Sequence, residues 1–179
     1  IICKITKNLW FLIKQGAIIE KILVILQPNR LFVTNRQHIY ITATYRTMTD
    51  KLFLIDAYAL IYRSYYALIR APRINSKGLN TSAVMGFCNT LNEVLQKEKP
   101  THIAVAFDHG RTFRHEAFPP YKAQREETPE DIRIAIPYIK RILEAYRIPI
   151  LQVDGFEADD IIGTVAGEGE RKGMEVYML

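Results

Sequence analysis

Cysteine is nearly missing from this chain. Cys3 and Cys88 are the only two in 179 residues, and so distant a pair builds neither a disulfide framework nor a C-x-x-C motif. That usage suits a reducing, cytoplasmic setting. Histidine is also sparse: His38, His102, His109 and His115 lack the close spacing of a zinc site. No apolar run approaches the ~20 residues that a membrane span needs, because Lys14, Glu20 and Lys21 interrupt the most apolar part of the first 47 residues. Without a small-residue cleavage site after it, that stretch is not a secretion signal either.

A charge excess is missing from most of the chain as well. The net charge is +5, but residues 1–47 hold seven Lys or Arg against Glu20 alone, which is +6. Residues 48–179 carry the other 17 basic residues and 18 acidic ones, a balance of −1. A nucleic-acid reading must therefore rest on local basic clusters. The basic leader has weak periodicity. It is expected to lie outside the domain, with the biological start at Met48 and residues 1–47 translated from upstream sequence; a genuine basic extension is the alternative. Its deletion is expected to leave the core's thermal transition almost unchanged.

From Met48 onward the pattern is regular. "KLFLIDA" (51–57), "THIAVAFD" (101–108), "IPILQVD" (148–154) and "MEVYML" (174–179) are short apolar runs of strand length, as expected when both faces of a sheet are covered. Apolar residues recur at helical spacing over 58–69 and 81–98. A third helix opens with Thr128 as N-cap and Pro129 in its first position, and Pro137 is expected to kink or interrupt it. A last helix is expected from about Glu157 to Arg171, stopping at Gly173. Strands alternating with helices predict an α/β fold with a mostly parallel sheet.

Ligands of such sheets bind beyond the carboxyl ends of the strands. Asp56 and Asp108 fall at the ends of the first two strands, and "GFEADD" brings Glu157, Asp159 and Asp160 a short turn after the third. Acidic residues also favour the first turn of a helix, which accounts for the third group but not for Asp56 or Asp108. Five carboxylates on one edge suit Mg²⁺ or Mn²⁺, and two such ions can hydrolyse a phosphodiester. A phosphatase or phosphotransferase could use similar ligands.

The segment "HGRTFRHEAFPPYKAQREE" (109–127) sets Arg111, Arg114, Lys122 and Arg125 beside Phe113, Phe118 and Tyr121. Cations hold phosphates and rings stack bases, a combination suited to single-stranded nucleic acid. The same composition also suits a solvated charged loop anchored by its aromatics. Tyr62 and Arg63 repeat the aromatic-plus-cation theme about a helical turn beyond Asp56.

"LFLIDAYALIYRSYYAL", "AVAFDHGRTFRHEAFPPYKAQRE", "TPEDI" and "VDGFEADDIIGTVA", in this order, closely resemble the amino-terminal 5′-nuclease domain of bacterial DNA polymerase I, a relative of phage and eukaryotic flap endonucleases. The resemblance runs from about Met48 to Leu179. It implies a three-layer α/β/α, Rossmann-like (PIN-like) domain with two metal ions, acting on DNA with a 5′ end or flap, including RNA primer–DNA junctions. A polymerase domain normally follows on the same chain. The resemblance implies that Asp56, Asp108, Glu157, Asp159 and Asp160 are metal-site residues, and that Lys122 and Arg125 meet the scissile phosphate. By the same resemblance, Tyr121 stacks near the cleaved end and Arg63 and Arg114 are further substrate-side cations.

In that family the strand matching "MEVYML" is followed by a further aspartate pair and a duplex-gripping helix-hairpin-helix region. On that comparison the domain is expected to be incomplete at its carboxyl end. A PIN-type ribonuclease and a non-catalytic DNA-binding fragment are the rival expectations.

Overall fold

The computed structural model describes residues 49–179; the expectations for the leader and for Met48 as a start lie outside the described residues. Strand β1 (Lys51–Asp56) leads into helix α1 (Ala57–Ala67). Helix α2 (Ser82–Glu93) ends in a π-helical turn, Val94–Glu98. Strand β2 (His102–Ala106), the short helix α3 (Phe113–Ala117) and the long helix α4 (Glu130–Ala145) follow. The described chain closes with β3 (Ile150–Leu151), α5 (Ala158–Arg171) and β4 (Glu175–Met178). The four strands lie in the order β3-β2-β1-β4, and every pairing is parallel.

The alternation of side chains along β1 and β2 makes the layers. Phe53, Ile55, Ile103 and Val105 join Phe107 in a core with Leu60 and Ile61 of α1, Phe87 and Leu91 of α2, and Ile132 and Ile139 of α4. The intervening residues Leu52, Leu54, Ala104 and Ala106 are also buried, on the face that α5 crosses. Strands covered on both faces read as unbroken apolar runs, which is why they stand out in the sequence. Gly169 fixes how closely α5 approaches: a Cβ there would sit 2.8 Å from Leu52 Cδ2. Gly86 does the same between α1 and α2, where a Cβ would fall 2.6 Å from that of Ser64.

Three expectations are corrected. The third apolar run gives a strand of only two residues, because Pro149 has no N–H to donate and the chain turns away at Gly155, whose φ is +82°. Helix α4 runs unbroken through Pro137. The ring sits on an exposed turn, so the backbone carbonyl it leaves without a partner, that of Arg133, faces water. Pro129, not Thr128, occupies the N-cap of α4, and the Thr128 hydroxyl instead accepts a hydrogen bond from Tyr62 at 2.9 Å.

This topology places the crevice. The connection from β1 to β2 runs over the face of α1 and α2, whereas the connection from β3 to β4 runs through α5 on the other. Adjacent strands reached over opposite faces leave a gap at their carboxyl ends. Asp56 stands at that gap, its N–H bonded to the Leu179 carbonyl at 2.8 Å.

Candidate active site

Four of the five acidic residues at this edge are placed by hydrogen bonds to backbone N–H groups. Asp56 is the N-cap of α1, and its Oδ1 accepts from Ala59 N at 3.1 Å. Asp108, two residues past β2, accepts from Ala158 N at 2.6 Å and so ties the second strand to the head of α5. Glu157 is the N-cap of α5 and forms a capping box with Asp160; the Asp160 carboxylate accepts from Glu157 N at 3.0 Å. Asp159 projects from the same first turn and is exposed. Helix starts thus select carboxylates here for an ordinary reason, since their oxygens satisfy N–H groups that have no partner within the helix.

Electrostatically the five divide into two sets. Arg114 grips Asp160 with two hydrogen bonds, 2.6 and 2.7 Å, and stands 3.5 Å from Glu157. Lys122 Nζ meets Glu157 Oε1 at 2.8 Å, and the Tyr121 hydroxyl donates to Oε2 at 3.0 Å. Burial at Glu157 pushes its carboxyl pKa up, but the hydrogen bonds from Lys122 and Tyr121 and the charges of Lys122 and Arg114 outweigh it and hold the pKa below the usual carboxylate range. At Asp160 burial likewise pushes upward and is outweighed by Arg114 and the Glu157 N–H, so its pKa is also depressed.

Asp56, Asp108 and Asp159 form the other set. None of them makes an ion pair with a Lys or Arg among the described residues. Burial raises the Asp56 pKa, the N–H groups of Ala59 and Tyr58 oppose that rise, and the negative charges of Asp108 and Asp159 add to it.

The basic segment reaches this edge by docking along the turn before α5. Thr112 bridges to Gly155, Phe113 N donates to Gly155 O at 3.0 Å, and the rings of Phe113 and Phe156 lie 5.9 Å apart. Thr112 and His115 then cap α3, with Thr112 N donating to His115 Nδ1 at 3.1 Å. A loop in the sequence reading, this stretch therefore contains a helix of five residues. Arg63, Arg111 and Arg125 are exposed and make no ion pair among the described residues. Tyr62 lies in a row of rings, 6.5 Å from Tyr58 and 6.2 Å from Tyr66.

Several participants escaped the sequence reading. Tyr58 packs edge-on against Phe107 at 6.1 Å, and burial together with the Asp108 charge pushes its hydroxyl pKa up. Its position two residues beyond Asp56 was the available signal. Gln152 donates to the Asp108 carbonyl at 3.3 Å, and His109 pairs with Asp154 at 3.2 Å; neither spacing forms a recognisable motif.

Among the described residues, no three His, Cys, Asp or Glu side chains are gathered closely enough to hold a metal ion as they stand. The donor set nevertheless suits a hard divalent cation. It offers oxygen only, and the charges of Asp108 and Asp159 at Asp56 are not offset by any ion pair among the described residues.

Residues 51–179 match the model of the family described as "5′-3′ exonuclease, N-terminal resolvase-like domain". The chain is 48% identical over 134 residues to DNA polymerase I of Geobacillus stearothermophilus and 46% identical over 135 residues to that of Bacillus subtilis (strain 168). Each alignment covers 74% of this chain and 15% of the relative, so the chain spans a small part of the proteins it matches. Among solved structures, "Divalent metal ions (zinc) bound to T5 5′-exonuclease" is similar with a TM-score of 0.51 and 19% identity, over 72% of this chain and 48% of that one. At that identity the likeness concerns the fold.

Proposed function

Since the chain belongs to the 5′-3′ exonuclease, N-terminal resolvase-like domain family, we propose that its acidic edge hydrolyses DNA phosphodiesters at 5′ ends and flaps, with Mg²⁺ or Mn²⁺ in a pair of sites. The natural substrates on this reading include RNA primer–DNA junctions, and a polymerase domain on the same chain would use the cleared template, as the name of the relatives suggests. One observation carries the reading: Asp56, Asp108 and Asp159 form an acidic set with no ion pair among the described residues, next to a segment rich in cations and aromatic rings.

Asp56, Asp108 and Asp159 would hold the metal ions, with Glu157 and Asp160 as further ligands. When bound, the ions supply Lewis acidity to the attacking water and the leaving oxygen. The chain's own groups do the rest. Lys122 and Arg125 hold the scissile phosphate, and Arg63, Arg111 and Arg114 contact neighbouring phosphates, which fixes register rather than sequence. Tyr121 and Tyr62 offer ring faces to unpaired bases, a contact worth ~1–3 kcal/mol per base.

Cleavage of a 5′-flap duplex by a protein that carries this chain together with the aspartate pair and helix-hairpin-helix region expected of the family, with Mg²⁺ or with EDTA, tests the proposal. Metal-dependent release of the flap is expected. Preferential cutting of single-stranded RNA would favour a PIN-type ribonuclease instead. Binding of flap DNA without cleavage under any divalent ion would leave only a DNA-binding role.

A further inference from the structure

The cations that the proposed reaction needs on phosphate are engaged elsewhere. Arg114 occupies both oxygens of Asp160, and one of those oxygens also accepts Glu157 N. Lys122 takes one oxygen of Glu157 and Tyr121 the other. Carboxylates supplied in this way have few lone pairs left for another ion, and two positive charges beside them oppose its approach. Either the segment or a divalent ion can use Glu157 and Asp160 in this arrangement.

The segment is otherwise lightly held. Helix α3 has no buried residue, Phe118 is 60% exposed, and residues 123–127 are all exposed. Lys122 has φ +58°, a left-handed conformation that a non-glycine residue adopts only where other contacts hold it, here its bond to Glu157. Among the described residues, the anchors of the segment that do not depend on the ion pairs are its start, through Thr112, Gly155 and the Phe113–Phe156 contact, and the Tyr121 hydroxyl on Glu157.

We propose that residues 113–127 are an autoinhibitory strap whose docking on Glu157 and Asp160 excludes a divalent ion from those carboxylates. Occupancy by the ion undocks the strap and frees Arg114 and Lys122 for substrate phosphate. The inference rests on the metal reading of the acidic edge.

The test is amide hydrogen exchange over residues 113–125 in the full chain, with and without Mn²⁺, beside calorimetric Mn²⁺ titrations of the wild type, Arg114→Gln and Lys122→Gln. Saturating Mn²⁺ is expected to speed exchange of the strap. Each variant is expected to bind Mn²⁺ about two- to fivefold more tightly, the range of a partly exposed ion pair, and Arg114→Gln to speed exchange without any ion. Mn²⁺ binding with strap exchange unchanged or slowed would overturn the strap and leave the metal reading standing. No Mn²⁺ binding by any of the three proteins would overturn both.

Discussion

Two acidic groups at one sheet edge are treated in opposite ways. Glu157, buried, and Asp160, half-buried, form a capping box and pair with Lys122 and Arg114, and their pKa values are depressed. Among the described residues, Asp56, Asp108 and Asp159 make no ion pair with a Lys or Arg, and the pKa of Asp56 is raised. Helix capping and ion pairing account for how the first pair is held in place. They leave the second set with a repulsion that folding alone gives no reason to keep, and it is this residue of unexplained charge that points to a ligand.

The sharpest way to break the contrast is Asp108→Asn. The amide oxygen can still accept from Ala158 N, so the fold should survive, while one charge of the uncompensated set disappears. Metal-dependent flap cleavage by a protein that carries this chain together with the aspartate pair and helix-hairpin-helix region expected of the family should fall by at least about 100-fold, a loss that even an outer-shell partner of a metal can cause. DNA binding should persist, since removing a negative charge cannot weaken attraction to phosphate. A variant that cuts normally would remove Asp108 from the site.

The paired set should answer in stability instead. Glu157→Ala leaves Lys122 and the Tyr121 hydroxyl without their partner. Loss of one member of a fully buried pair costs roughly 3–5 kcal/mol, but the Lys122 side chain is 22% exposed and can reach water. About 2 kcal/mol is expected in urea denaturation, against within ~0.5 kcal/mol for Asp159→Ala on the exposed first turn. Equal losses would erase the distinction between the sets.

The two sets also have opposite pH signs. Glu157 and Asp160 have folded pKa values below the ordinary 4.5 and 3.8, so the stability they contribute is present above those values and lost as pH falls through the depressed ones. The melting-temperature difference between the wild type and Arg114→Gln, measured from pH 7 downward, should therefore shrink in strong acid. A difference independent of pH would mean that Arg114 acts by packing.

Much of this was legible in the sequence, for reasons that also set the limit. Strands β1 and β2 showed because both faces are buried, and the five carboxylates share an edge because the ends of parallel strands do. Periodicity describes one element at a time, however, and Arg114–Asp160 and Lys122–Glu157 join residues 46 and 35 apart. Helix α3, at five residues, is too short to show a period. Tyr121 and Lys122 read as substrate contacts in a polar loop, whereas each has an internal partner in Glu157. Tyr121→Phe should accordingly cost about 1 kcal/mol, the net worth of a typical hydrogen bond, rather than nothing.

The smallest expected effect has the opposite sign. Asp56→Asn keeps a good N-cap, since Asn and Asp rank together there, and removes the charge that Asp108 and Asp159 repel. Because the folded pKa of Asp56 lies above its ordinary 3.8, the ionised group destabilises the fold above that raised value, and protonation relieves the penalty as pH falls. The variant should gain about 0.5 kcal/mol at neutral pH in chemical denaturation, within the range that removal of a strained functional group yields, and the gain should vanish near pH 3. It should lose flap cleavage at the same time. Stability rising while activity falls is what an uncompensated carboxylate kept for a ligand requires, and a destabilised Asp56→Asn would mean that Asp56 is retained for its cap alone.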